Sequence, residues 1–246
     1  MFGSYRRRCS VIDRIGKKIV GNRKRQHGII SGEELYKNRL RKSVFIILSL
    51  VCAFSINILC IFLNLKYGFS LQKVSIIMQV LLTVVFIAGI ILLPYHPCHY
   101  GLNCNNLKRN IVTGISAGSA FLAVVILIRY NLFRSGYHHF GFCLSLTLTS
   151  FLYPVIVVIQ ETIIKGFFQS YFIVVMEKYR FSRFFAVFIA SYIFAQFHIL
   201  YSIPFFLMTF GFAFITGWIY ERHRSIVGVS IIHFMAGGGF LFFSNM

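Results

Sequence analysis

The sequence predicts an all-α, polytopic membrane helical bundle with about seven transmembrane helices. Three observations carry that reading. Hydrophobic residues make up 57% of the 246-residue chain and charged residues only 13%, about half the share a soluble domain of this size needs at its surface. The apolar residues fall in repeated runs of about 20, enough to cross a ~30 Å hydrocarbon core at ~1.5 Å per residue. The basic residues, finally, are segregated along the chain in the way membrane orientation requires.

Residues 1–43 form a basic cytoplasmic N-terminal segment. Of 25 Lys and Arg, 13 lie before Ser43, among them Arg6, Arg7, Arg8, Lys17, Lys18, Arg23, Lys24 and Arg25. Immediately before a membrane span, such a run marks a cytoplasmic retention signal and contact with anionic lipid, in preference to nucleic acid. Ser31 and Glu34 fit a capping box, which predicts a short interfacial helix leading into the first span. The segment lacks the short charged region, apolar run and small-residue site of a cleavable signal peptide.

Residues 44–246 read as the integral membrane domain. The expected spans are Val44–Leu65, Val74–Leu93, Ile111–Ile128, Pro154–Met176, Phe184–Leu200, Pro204–Tyr220 and Ile226–Phe243. With the N-terminus in the cytoplasm, the inner segments hold twenty basic residues, and the outer loops hold four: Lys66, Lys73, Arg129 and Arg134. That asymmetry supports the layout and leaves the C-terminus outside. No internal repeat supports an inverted-repeat transporter.

Cys52 and Cys60 fall within the first span as packing residues. His96, Cys98, His99 and Cys104 cluster in the loop Pro94–Asn110, but their spacing matches no standard zinc signature. A disulfide is not expected in a loop facing the cytoplasm.

Only three carboxylates follow residue 43: Glu161, Glu177 and Glu221. The last two flank spans beside basic residues. Glu161 lies inside an apolar run, where a carboxylate costs roughly 2.5–3.5 kcal/mol on insertion scales and so faces the bundle interior with a partner. Glu161, Lys165 and Gln169 recur every four residues and share one helical face. The order Glu161 then Lys165 is the favourable one for a helical ion pair, so a purely structural Glu–Lys pair is one reading. His198 and His233, on two other spans, change the balance. A carboxylate and two imidazoles in a water-poor cavity offer a base and ligands for hydrolysis, and could hold a divalent metal such as zinc.

Depth constrains how these groups meet. A helix starting near Phe142 would put Glu161 about 28 Å from the outer face, beyond reach of His198. A helix starting at Pro154, a favoured first helical position, puts Glu161 ~10 Å deep and His233 ~15 Å deep. The expectation is therefore a break near Tyr153–Pro154, with residues 136–152 forming a separate interfacial or re-entrant segment.

These residues resemble the motifs of the CPBP family of intramembrane proteases, which includes type II CAAX prenyl endopeptidases and bacteriocin self-immunity proteins. Gln160-Glu161-Thr-Ile-Ile-Lys165-Gly166 is similar to the family's EExxxR-Gly motif. Phe194 to His198 matches FxxxH, and the stretch from Thr216 to Ser225 followed by His233 resembles the last turn and His-x-x-x-Asn/Asp. The resemblance spans about residues 144–246 and implies a CPBP-like core there. It also implies a membrane-embedded peptide or protein as partner, and a bacterial plasma membrane as location. In the family, the first Glu and the second-motif His activate water, while the last His and its Asn stabilise the oxyanion.

The departures bear on activity. Gln160 replaces the first Glu, Lys165 the Arg, and Gly237 the Asn or Asp. Gln160 cannot take a proton, and a general base typically contributes about 10²–10⁴-fold. A lost oxyanion donor costs roughly another 10²–10³-fold. Lys165 keeps the charge without the bidentate fork of Arg. Three functions follow as alternatives. One is a working peptidase with Glu161, His198 and His233 at its centre. Another is an inactive immunity or regulatory relative that binds a membrane protein. The third is an unrelated transporter or scaffold, which a failure of the three residues to converge would favour.

Overall fold

The computed structural model describes residues 32–92, 100–102, 106–136, 143–144, 148–176, 179–241 and 243–244. Most of the basic N-terminal segment, the cluster His96, Cys98, His99 and Cys104, the pair His138 and His139, and Glu177 lie outside them. The chain divides into two units, Met1–Ile47 and Leu48–Met246. In the first, the described residues are helical and open α1 (Gly32–Tyr67), with no separate interfacial helix among them.

The second unit is a helical bundle. After α1 come α2 (Leu71–Leu92), α3 (Leu107–Arg134), α4 (Leu148–Glu161), a π-helical turn (Thr162–Gln169), α5 (Ser170–Val175), α6 (Ser182–Gln196), α7 (Ile203–His223) and α8 (Ile226–Leu241). Because α4, the π turn and α5 form one rod, the described residues make seven rods, as the apolar runs predict. Among the described residues, four stretches are long and apolar enough to cross a membrane: Ser43–Tyr67, Leu107–Arg134, Phe151–Val175 and Ile203–His223. Helices suit this setting because they satisfy their own backbone groups where no water can. A minimal antiparallel ladder pairs Cys143–Leu144 with Phe243–Ser244.

The closest packing joins α3 to α8. Asn110, Gly114 and Gly118 lie buried on one stripe of α3. A Cβ on Gly114 would come within 2.9 Å of the Gly228 carbonyl oxygen, and one on Gly118 within 2.7 Å of Met235 Sδ. Small residues four apart let membrane helices approach by their backbones, where close contact replaces a hydrophobic driving force. On α1, Ser49, Ala53, Asn57 and Cys60 form the buried stripe. Cys52 is exposed, so only Cys60 of that pair packs as expected. At the start of α7, Ser202 Oγ accepts from the Phe205 N–H at 3.1 Å and Pro204 sits in the first turn, a standard start for a helix.

Three expectations change. There is no break at Tyr153–Pro154: α4 starts at Leu148 and carries Pro154 in its interior. A membrane helix tolerates this because neighbouring groups and local winding changes re-satisfy the freed backbone. The change of winding falls later in the same rod, in the π turn after Glu161. Next, His198 is not inside a span, since α6 ends at Gln196 and His198 lies in the following turn, its N–H bonded to the Ala195 carbonyl at 2.8 Å. Finally, Arg129 and Arg134 are not in a loop. Both belong to α3, and Arg129 is buried.

Candidate functional site

The π turn is the hub of the bundle: α2, α4, α5, α6, α7 and α8 all pack on it, and all eight of its residues are buried. A π turn widens the helix and shifts its carbonyls out of register, which is why such turns gather at functional sites. Here Ser170 Oγ donates to the displaced Lys165 carbonyl at 3.1 Å and also meets Tyr220 Oη at 2.9 Å. Gln169 Nε2 donates to the Gly217 carbonyl at 2.9 Å. Gln169 therefore ties the π turn to α7 rather than joining the Glu161 group whose face the sequence assigns it.

Glu161 closes α4 just before this turn and is 0% exposed. Its Oε2 lies 3.3 Å from Lys165 Nζ, itself 1% exposed. Its Oε1 accepts from His233 Nδ1–H at 2.8 Å. The carboxylate thus neutralises an ammonium on its own rod and orients an imidazole on α8. Gln160, one residue earlier, is only half-buried. The two neighbours therefore lie in different surroundings, as the ~100° turn between consecutive helical residues requires.

Phe194 connects the remaining parts. Its ring centroid lies 4.8 Å from that of His198 and 5.4 Å from that of His233. Lys165 Nζ stands 5.8 Å from the same ring centroid, within cation–π range. The phenyl ring four residues before His198 therefore separates the two imidazoles and supports the buried ammonium. His198 Nδ1–H donates to the Phe194 carbonyl at 2.9 Å. This fixes the tautomer and leaves Nε2 as the basic nitrogen. Glu161, Lys165, Phe194, His198 and His233 thus form one connected cluster.

Aromatic residues that sequence reasoning did not single out enclose it. Phe212 stands 5.5 Å from His233, and Phe205 stands 5.8 Å from His198. Tyr153 packs edge-on to His233 at 6.2 Å, its hydroxyl lying against Gly237 where a Cβ would collide with it. The missing side chain at 237 was the available signal, but nothing in the sequence ties it to Tyr153.

Gly166 also gains a reason. A Cβ there would lie 2.5 Å from the Tyr100 carbonyl oxygen, so glycine lets residues 100–102 dock on the rod. Those residues are further held by the Ile226 N–H bond to the Gly101 carbonyl at 3.1 Å. At the same end, Glu221 pairs with Arg183 at 3.4 Å and Arg224 at 3.1 Å, the interfacial pairing its sequence surroundings predict.

Among the described residues no group of three or more His, Cys, Asp and Glu is placed to hold a metal. The Glu161 carboxylate faces the Lys165 ammonium, and His233 Nδ1 and His198 Nδ1 are bonded to oxygen acceptors, which leaves Nε2 as the second nitrogen of each ring.

Fold and site together define an intramembrane helical protein with a buried carboxylate–imidazole pair and a second imidazole one phenyl ring away. Residues 140–238 match the family model described as type II CAAX prenyl endopeptidase Rce1-like. The match supports a CPBP, CAAX protease-like fold for this region. Neither the curated proteins nor the solved structures contain a significant match.

Proposed function

We propose that this protein uses its CPBP-type fold to bind a membrane-embedded or membrane-adjacent peptide or protein at the Glu161–His198–His233 cluster, with hydrolysis largely lost. One observation carries the reading: one oxygen of the buried Glu161 accepts a hydrogen bond from His233, and the other is ion-paired with Lys165 at 3.3 Å without a hydrogen bond. Its neighbour Gln160 cannot accept a proton. The motif residue able to act as a carboxylate base is thus held as an anchor, and the residue beside it has no basic group. Binding then remains as the role of the cluster, as for an immunity factor or a regulator of a membrane sensor. The concentration of 13 of the 25 Lys and Arg before Ser43 supports a cytoplasmic N-terminus resting on anionic lipid.

A second reading rests on His198, whose fixed tautomer leaves Nε2 able to act as a base. It makes the protein a slow peptidase. Peptide cleavage by the reconstituted protein separates the two, with mass spectrometry as readout on a pool of membrane-active peptides. The binding reading expects no cleavage by wild type and cleavage by Gln160→Glu. Cleavage by wild type that His198→Ala abolishes would overturn it in favour of the peptidase.

A further inference from the structure

We propose that the start of α3 and the end of α7 form a binding site for an anionic phospholipid, whose two-phosphate headgroup meets Lys108, Arg109 and Arg222 while its acyl chains lie along the apolar stripes beneath them. The site is separate from the Glu161 cluster and does not depend on the function proposed above. The fold gathers these cations from two distant stretches of chain. α3 and α8 begin side by side: a Cβ on Gly228 would fall 3.0 Å from the Asn110 carbonyl oxygen. Residues 222–224 lead directly into α8, so the end of α7 stands beside the start of α3. Arg109 and Arg222 accordingly both lie near enough to His223 for their charges to act on it. Further along the same two helices, the rings of Phe121 and Phe212 meet at 5.1 Å.

Nothing of opposite charge among the described residues holds these cations together. Glu221 is taken up by Arg183 and Arg224. Lys108, Arg109 and Arg222 are exposed and have no ion-pair or hydrogen-bond partner among the described residues. Lys108 and Arg109 also sit in the first turn of α3, which carries no acidic residue, and cations there oppose the helix dipole. An external anion relieves both repulsions. The surface below selects a lipid over a free anion. On α3, Lys108 stands in line with Val112 and Ile115; on α7, Arg222 stands in line with Trp218 and Ile215. Each set has the four- and seven-residue spacing of one helical face. All four apolar residues are between 39 and 55% exposed and lie within stretches able to cross a membrane. A cation above an apolar strip repeats the order of groups in a phospholipid. Basic sites between helices on the cytoplasmic side bind such headgroups, and the distribution of basic residues assigns this end to that side. Three cations match two phosphates better than one.

Trp218 is the only tryptophan in the chain, so its fluorescence reports from within the site. The test places the full chain in phosphatidylcholine vesicles holding a small fraction of diphosphatidylglycerol brominated on its acyl chains, which quenches a tryptophan it touches. At about fivefold in affinity per cation, wild type is expected to enrich this lipid beside Trp218 roughly a hundredfold over its share of the bilayer. Arg222→Gln, which keeps the other two cations for correct insertion, is expected to lower the enrichment about fivefold. Lys108→Gln with Arg109→Gln and Arg222→Gln is expected to abolish it, with emission in unbrominated vesicles unchanged. Arg6→Gln with Arg7→Gln and Arg8→Gln removes three cations from the N-terminal segment and is expected to leave the enrichment intact. Quenching of wild type at the random share would overturn the proposal and leave these cations to an acidic protein segment. Undiminished enrichment in Arg222→Gln and in the variant lacking all three cations would overturn it as well. Equal enrichment of brominated phosphatidylglycerol would refute the two-phosphate headgroup, and displacement by millimolar inorganic phosphate would make this a site for a free anion.

Discussion

His233 Nδ1–H donates to Glu161 Oε1 at 2.8 Å, joining α8 to the end of α4 across 72 positions of sequence. With Lys165 Nζ on the other oxygen, the carboxylate is a three-way anchor at the centre of the bundle. An anchor and a water-activating base make different demands on a mutant, and stability tells them apart.

Glu161→Ala strands a buried ammonium and a buried imidazole. Removing one partner of a buried pair typically costs about 3–5 kcal/mol, whereas replacing both by apolar residues of similar size is near neutral. Glu161→Ala is therefore expected to lower the melting temperature in detergent strongly. Glu161→Gln combined with Lys165→Met is expected to recover most of the loss. A Glu161→Ala protein that melts with wild type would show that the carboxylate anchors nothing.

Gly166→Ala tests the docking of residues 100–102. The added Cβ falls 2.5 Å from the Tyr100 carbonyl oxygen, a backbone atom that cannot swing aside as a side chain would. Overpacking of this kind costs about 1–3 kcal/mol. Gly211→Ala, whose Cβ meets nothing within 4 Å, is the matched control and is expected to melt as wild type does. Equal melting of the two variants would mean that Tyr100 moves freely off the rod.

Much of this was legible in the sequence, for a physical reason. Hydrocarbon penalises charge so heavily that Glu161 and Lys165 had to be paired inside, and the apolar runs had to be spans. The pair, the involvement of His233 and the Glu221 cluster follow from that penalty. What stayed hidden depends on backbone geometry. Pro154 was read as a helix start because proline favours the first turn, but in a membrane bundle it is tolerated inside α4. The π turn has no composition signature, so the four-residue spacing puts Gln169 on the face of Glu161 and Lys165, whereas its amide bonds to Gly217. His198 was placed inside a span because the apolar run continues to Leu200, while the helix stops at Gln196. The glycines Gly114 and Gly118 carry a readable small-residue spacing, and their close approach to α8 needs the helix pairing as well.

Those two glycines support a third prediction. Gly118→Leu drives a branched side chain into Met235 and the backbone at Ile232, which lie 2.7 and 3.3 Å from a bare Cβ. Separation of α3 from α8 would also loosen His233, which α8 carries. Lower thermal stability is expected, with faster modification of His233 by an imidazole-directed reagent. Gly136→Ala serves as a control on crowding, because nothing lies within 4 Å of a Cβ there, although its φ of +90° adds local backbone strain. Unchanged His233 reactivity in a destabilised Gly118→Leu protein would mean that α8 holds its place without α3.

Asn57 supports the fourth. Its Nδ2 donates to the Gln196 carbonyl at 2.8 Å, tying α1 to the residue that ends α6, two positions before His198. The same carbonyl accepts from Ile199 N at 3.3 Å, so Asn57 holds the turn that carries the imidazole. It lies outside residues 140–238, which makes the N-terminal helices a support for the site as well as a membrane anchor. Asn57→Leu fills similar space without the donor and leaves the part-buried carbonyl with one partner fewer, a loss of about 0.5–1.5 kcal/mol. Packing alone would lower stability without touching the imidazole, so the deciding readout is the ring resonances of ¹⁵N-labelled histidine. His198 signals are expected to shift and broaden in Asn57→Leu while those of His233 stay in place. Movement of neither would leave Asn57 a packing residue of α1, and movement of both would mean that the turn and α8 shift together.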